Sequence, residues 1–291
     1  MTRGFIFLLL SAFVFALATL FAKLTIQSSA VPPIELTFFR FLGGLIFISF
    51  IAFTRKENLR PKKTRYVILR ALFNTVAVIL FFTGIGETTV TKANMLNMTY
   101  PVFVFLLAPM MNKESISLLD IIYLAVAMAG IYLVMVPSPL LSGTGALNRG
   151  DILALASGLV AGFAITSLRE ARKYDSSIVI LFYLMALGTV INFFMVLPVF
   201  EIPRGIILLY VSLCTIFSVM GQVFITAGYR YIDAAAGSLV SSSRILFAGI
   251  LGVAVLGEDL TFGIAAGGTL ILLALFGVSG IWKQWLKKKH S

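Results

Sequence analysis

Runs of about twenty apolar residues, parted by short polar breaks, extend along the whole chain. They lie at about 4–26, 33–53, 66–86, 91–111 and 117–136. After a break rich in Pro, Ser and Gly, from Pro137 to Arg149, they resume at about 150–168, 177–198, 205–228, 234–256 and 261–282. About 20 apolar residues in a helix cross the hydrocarbon core of a bilayer. Backbone in lipid must satisfy its own hydrogen bonds, which leaves only helices and closed barrels. A barrel would show ten-residue segments of alternating polarity, and these runs do not alternate. The pattern predicts an all-α membrane protein of ten transmembrane helices.

Composition agrees. Of the 291 residues, 59% are hydrophobic and 12% charged, with a mean hydropathy of +1.02. A soluble domain carries about 45–50% apolar and about 25% charged residues, so lipid must cover what polar side chains cannot. Ten spans leave no room for a separate soluble domain. The opening Met1-Thr2-Arg3 before an apolar run has the form of a signal peptide, but the segment has a counterpart in the second half and is read as the first span. Cys214, the single cysteine, excludes an intramolecular disulfide.

The net charge of +11 invites a nucleic-acid partner, yet nothing in the chain resembles a groove-reading module. The positions of the charges explain it better. With the N-terminus inside, sixteen Lys and Arg fall in cytoplasmic segments and three (Lys92, Arg149 and Arg204) outside. That asymmetry predicts a cell (inner) membrane protein with both termini cytoplasmic.

The two halves resemble each other. Aligning Gly4 with Gly150 places Ser11 on Ser157 and Lys23 on Arg169, and sets Ala12-Phe13-Val14-Phe15-Ala16 against Gly158-Leu159-Val160-Ala161-Gly162. A shift of two residues then superposes the fourth and ninth spans, with Tyr100 on Arg244 and Glu114 on Glu258. Five spans per half is an odd number, so the halves must cross in opposite senses, as in many secondary carriers. The loop between spans two and three carries +5, whereas its counterpart between spans seven and eight sums to zero. The expected organisation is a first repeat over 1–136, a linker over 137–149, and a second repeat with a basic tail over 150–291.

Four stretches make the resemblance specific: Phe38-Phe39-Arg40-Phe41, Leu69-Arg70-Ala71, Tyr100-Pro101-Val102-Phe103 through Glu114, and Arg230-Tyr231 through Gly257-Glu258. In order and spacing the chain resembles the drug/metabolite transporter superfamily, built from two inverted five-helix EamA-type repeats. That resemblance implies a central cavity lined mainly by spans one, three, four, six, eight and nine, with access alternating between the two sides. Arg40 together with Arg70 resembles the branch that includes S-adenosylmethionine and other metabolite carriers.

The twelve carboxylates all avoid mid-span, Glu35 coming closest, and the one histidine, His290, is in the tail. A carrier driven by protons normally keeps an acid or histidine at membrane depth. No nucleophile has a histidine base, and no residues are spaced as metal ligands, so neither an enzyme nor a metal or cofactor is expected.

Arg244 stands near the middle of span nine, where an arginine costs about 2.5–3.5 kcal/mol to insert unless it meets water or a partner. It is the leading candidate to bind an anionic group on the substrate; the competing role is to bond backbone carbonyls of a neighbouring helix. Tyr100 would present a phenol at the mirrored place, with Asn97 on the same helical face. Gln222, Asn74 and Ser242 are further candidates, Asn94 is polar at similar depth, and interhelical hydrogen bonding worth about 0.6 kcal/mol is the alternative for each. Phe13 and Phe163, near mid-span, could stack on an aromatic substrate but more simply pack the bundle. Arg70 is near enough to the cytoplasmic face to snorkel, and Arg40 could pair with Glu35, so both carry structural readings beside a substrate-binding one. Gly158 with Gly162 and Gly263 with Gly267 read as close helix packing.

These observations favour a secondary transporter of a small metabolite bearing an anionic group, an amino acid or a related compound, working in the bilayer as a monomer or homodimer. The alternatives are a S-adenosylmethionine carrier and a non-transporting membrane scaffold.

Overall fold

A computed structural model describes residues 2–28, 31–87, 96–135, 148–257 and 262–279. Lys92, Asn94, Glu258 and His290 lie outside the described residues. The helices are α1 (Thr2–Ser28), α2 (Pro33–Thr54), α3 (Thr64–Glu87), α4 (Tyr100–Asn112), α5 (Leu118–Met135), α6 (Arg149–Ala171), α7 (Ser177–Val196), α8 (Ile206–Gly228), α9 (Ala234–Ser241), α10 (Arg244–Leu256) and α11 (Phe262–Ser279). Counting α9 and α10 as one span, eight stretches among the described residues are long and apolar enough to cross a membrane; α4 and α5 are shorter apolar helices. The described residues contain no strand.

Local chemistry sets the boundaries. Pro33 opens α2, where a missing N–H costs nothing. Asn148 and Asp151 form a capping box on α6: Asn148 Oδ1 accepts from the Asp151 amide at 2.8 Å, and Asp151 Oδ2 from the Asn148 amide at 3.0 Å. Ser176 caps α7 by accepting from the Val179 amide. The outward faces are apolar; Phe50, Leu106, Met110 and Phe194 are all exposed, as a lipid-covered surface requires.

The main helix pairings join one half to the other. α1 packs on α8, its mirror α6 packs on α3, α2 lies against α7, and α5 against α11. Phe41, Ile48, Leu181, Leu184 and Met185 form the apolar seam between α2 and α7. At the α5–α11 crossing, Gly130 and Gly267 face each other so closely that a Cβ on Gly267 would stand 2.4 Å from the Gly130 carbonyl oxygen. Gly158 likewise brings α6 within reach of the Leu96 and Asn97 carbonyls, and Gly162 brings it against Phe103. Neither half has a core of its own, because each completes the packing of the other.

The mirrored register is visible in the backbone. α4 and α10 are both 13 residues long, start 144 positions apart, and end in left-handed caps at Lys113 (φ 58°) and Gly257 (φ 67°). Their cap amides donate to the Ala108 and Gly252 carbonyls, again 144 apart. The bundle is built from two repeats related by this mirrored register.

Candidate functional site

The apolar pattern at 91–111 and 234–256 predicts two uninterrupted spans, but among the described residues both are interrupted at mirrored places, at 98–99 and at 242–243. In the ninth span the helical ladder tightens for one turn: Ser243 N–H donates to the Val240 carbonyl and Ile245 N–H to Ser242, each at 3.1 Å. The cause is a run of hydroxyls that compete for carbonyls in their own helix. Ser243 Oγ donates to Val240 O at 2.7 Å, Ser242 Oγ to Leu239 O at 2.7 Å, and Ser238 Oγ to Ala235 O at 2.7 Å. In the fourth span Thr99 Oγ1 donates to Leu96 O at 2.6 Å, the mirror of the Ser243 bond. There Pro101 deletes the amide that would continue the ladder. Ser242, fully buried with its hydroxyl committed to its own helix, belongs to the bend and not to a substrate surface.

The two bends meet at the centre of the bundle. Tyr100, which opens α4, is 8% exposed and donates its hydroxyl to the Ser238 carbonyl at 3.2 Å. Arg244, which opens α10, is partly buried and reaches back to the first half, Nη2 lying 3.4 Å from Met98 Sδ. A thioether is a weak acceptor and does not satisfy a guanidinium. Among the described residues no carbonyl accepts from the Arg244 guanidinium. Asn97 donates Nδ2 to Ser157 Oγ at 2.8 Å, tying the fourth span to α6.

Two expectations for the other buried arginines need correction. Arg70 does not snorkel. It is 2% exposed, donates Nη2 to Gln222 Oε1 at 3.3 Å, and leaves Nε without a partner. Arg40 does not pair with Glu35: its guanidinium lies over the Phe41 ring at 5.2 Å and faces Arg244 closely enough for the two cations to repel. Glu35 is fully buried with neither carboxylate oxygen at hydrogen-bond geometry. Arg40, Arg70 and Arg244 thus stand in one region with no carboxylate in ion-pair reach among the described residues. Each unpaired buried donor costs about 1–3 kcal/mol, more when charged.

The aromatic candidates pack on protein rings. Phe13 meets Phe247 edge-on at 5.5 Å, and Phe163 lies 5.1 Å from Phe73. Asn74 leaves Nδ2 unpartnered. Tyr229, at the end of α8, was not singled out by its sequence context. It is fully buried, with a hydroxyl that meets no partner, beside Arg70 and Tyr100. Its only sequence signal is a lone phenol after an apolar span.

At the end of the bundle rich in basic residues, the halves are latched. Glu114 accepts from the Ala234 and Ala235 amides at 2.8 and 3.2 Å and so caps α9 from the other repeat. Arg169 holds Asp233 at 2.8 Å, lies 3.6 Å from Glu114, and donates to the Tyr229 and Arg230 carbonyls at 3.0 and 3.2 Å. Asp175 receives the Lys62 and Lys63 amides at 2.6 and 3.1 Å, while Arg172 donates to the Asp175 carbonyl. Burial, aided by Arg230, pulls the Arg172 guanidinium down to about 10, so it stays a cation at neutral pH. Burial pushes the Glu114 carboxyl above its usual range.

Comparison with known proteins matches this geometry. The mouse solute carrier family 35 member G1 is 25% identical over 298 residues, covering 98% of this chain and 79% of the relative. The pseudopaline exporter CntI of Pseudomonas aeruginosa (strain UCBPP-PA14) is 22% identical over 280 residues, 95% of each chain. A solved crystal structure with 16% identity superposes with a TM-score of 0.80 over 98% of this chain and 99% of its own, an agreement in fold. The sequence pattern of the EamA-like transporter family fits residues 2–136 and fits again at 148–280. With one pattern recurring over the two halves that the mirrored bends relate, the chain belongs to the EamA-like transporter family.

Proposed function

We propose that this membrane transporter moves a small metabolite bearing an anionic group, an amino acid or a related compound, through a central site where the two bends meet, by alternating access. The observation that carries the reading is Arg244, whose guanidinium, among the described residues, finds only the Met98 thioether within bonding distance. An anionic group on the substrate would supply the missing acceptors. In this reading Tyr100, Asn97, Asn74 and Gln222 supply further polar contacts to the substrate, Arg40 and Arg70 add positive charge, and Phe13 and Phe163 form apolar walls. The latch of Glu114, Arg169 and Asp233 supports a state closed at the basic end. That end is read as cytoplasmic because the basic loops cluster there.

S-adenosylmethionine, with a sulfonium centre, fits less well among three guanidinium groups. A scaffold role fits less well still, since a purely structural bundle gains nothing from unpaired arginines at depth. The test is counterflow in proteoliposomes preloaded with unlabelled compounds, following labelled S-adenosylmethionine and aromatic and aliphatic amino acids and other organic anions. Accumulation that vanishes in Arg244→Ala is the expected result. Normal counterflow in Arg244→Ala would remove Arg244 from the site while leaving a carrier.

A further inference from the structure

The central region holds a second set of unsatisfied groups, apart from Arg244. Arg70 Nε, the Tyr229 hydroxyl and the Ser241 hydroxyl are all buried without a partner. Arg70 is 2% exposed and Tyr229 fully buried. The Tyr229 phenol lies within electrostatic reach of Arg70 and Tyr100, with Ser241 beside both phenols. A guanidinium can only donate, whereas the two hydroxyls can also accept and can turn to each other. Among the described residues the acceptor that reaches Arg70 is the neutral amide oxygen of Gln222. A bond between the hydroxyls still leaves one O–H and Arg70 Nε without an acceptor, a pair of donors that an oxyanion satisfies.

Arg244 and Arg40 form the other set. Among the described residues, the one meets a thioether and the other an aromatic face. The two sets are drawn from different helices: Arg70, Gln222 and Tyr229 from α3 and the end of α8, Arg40 and Arg244 from α2 and α10. Tyr100 lies between them, within reach of both Arg244 and Tyr229, with its hydroxyl bonded to Ser238. They are therefore two poles of one site and not two sites.

Resting on the reading of an anion carrier, we propose that the substrate is a small dianion, with one anionic group held by Arg244 and Arg40 and the other by Arg70, Tyr229 and Ser241. Two carboxylates, or a carboxylate and a sulfonate, satisfy this chemistry equally. A zwitterion with a single carboxylate does not, because its ammonium would meet the second pole, where the carboxylate in electrostatic reach, Glu114, is already held by Arg169 and the Ala234 and Ala235 amides. The fixed charge favours divalent over monovalent anions by attraction alone, and bidentate contacts from the guanidinium forks add geometric selection.

The test uses the full chain, purified and reconstituted. Counterflow is compared for succinate and sulfoacetate as dianions, butyrate as a monoanion, and leucine as a zwitterion, with melting temperature in detergent read in parallel. At least one dianion should exchange about tenfold faster than butyrate or leucine and raise the melting temperature. Whether succinate or sulfoacetate does so distinguishes the two sources of charge. Tyr229→Phe removes only a buried unpartnered hydroxyl, so its ligand-free melting temperature should not fall, while its dianion-induced rise should shrink. Arg70→Gln should bring the dianion rate down toward the butyrate rate. Butyrate moving as fast as the dianions, or Tyr229→Phe keeping the full dianion-induced rise, would overturn the second pole and leave the anion carrier standing. Transport of leucine with none of the anions would overturn the dianion and leave the amino-acid carrier standing, whereas S-adenosylmethionine moving alone would overturn both.

Discussion

Glu114 offers a direct way to loosen one end of the bundle. Its carboxylate caps α9 across the repeat boundary with two amide bonds of 2.8 and 3.2 Å and lies 3.6 Å from Arg169. Losing a helix cap costs about 1 kcal/mol, and a charge at a helix N-terminus contributes up to about 1 kcal/mol more. Arg169 keeps Asp233 and two carbonyls, so loss of its pair with Glu114 adds little. Glu114→Ala should therefore weaken the closed latch by about 2 kcal/mol, a shift of about 30-fold in the ratio of closed to open forms. Cys214 is the only cysteine, so Cys214→Ser gives a thiol-free background. Into it goes Ser238→Cys, a fully buried position one turn inside the capped end. A small impermeant maleimide should label this thiol about 30-fold faster when Glu114→Ala is added, whereas Glu114→Gln, which like the protonated carboxyl keeps an acceptor without a buried charge, should label no faster than the parent. A thiol at Leu184, buried between α2 and α7, should stay unlabelled throughout, which separates opening from unfolding. An unchanged labelling rate at Ser238→Cys with Glu114→Ala would refute the latch.

The same carboxyl makes the latch sensitive to pH. Burial raises Glu114 above its ordinary 4.5, so the closed form binds the proton more tightly than an open form with a solvated carboxyl. Closure is favoured below the ordinary value, and that bias is lost as pH rises through the raised one. Labelling, normalised to an exposed thiol, should slow on acidification in the parent and stay flat in Glu114→Gln. Gly267→Val should lower the melting temperature, since its Cβ would meet the Gly130 carbonyl at 2.4 Å and overpacking of this kind costs about 1–3 kcal/mol. Ser242→Ala with Ser243→Ala removes the hydroxyls that bend the ninth span; counterflow should slow severalfold without a lower melting temperature, and an unchanged rate would show that the bend has another cause.

The spans were legible because lipid imposes one rule on every residue it touches. Apolar runs at 33–53 and 177–198 became α2 and α7 with small boundary shifts. The bends were not legible, because a run such as Ser241-Ser242-Ser243 looks merely polar until its hydroxyls are seen to back-bond. Arg244 was conspicuous by its depth alone. Arg70 was misjudged because its distance from the helix end allows snorkelling, and only the packing of α6 and α7 against α3, with the Gln222 contact from α8, closes that route. Tyr229 carried no signal, since its importance lies in what its hydroxyl fails to meet. Glu114 was recognised as mirrored, but its partners, 120 and 121 residues away, depend on how the halves dock.

The two bends differ in what they can undo. Ile245 keeps its amide and directs it to Ser242; a modest rotation of the backbone, with the serine hydroxyls turning aside, could return that amide to the carbonyl one residue earlier and straighten the rod. Pro101 has no amide to return, so the fourth span is a fixed elbow. Although the repeats share one shape, they do not share one stiffness. Mechanically the molecule is a pair of mirrored levers, one welded at its joint and the other pinned.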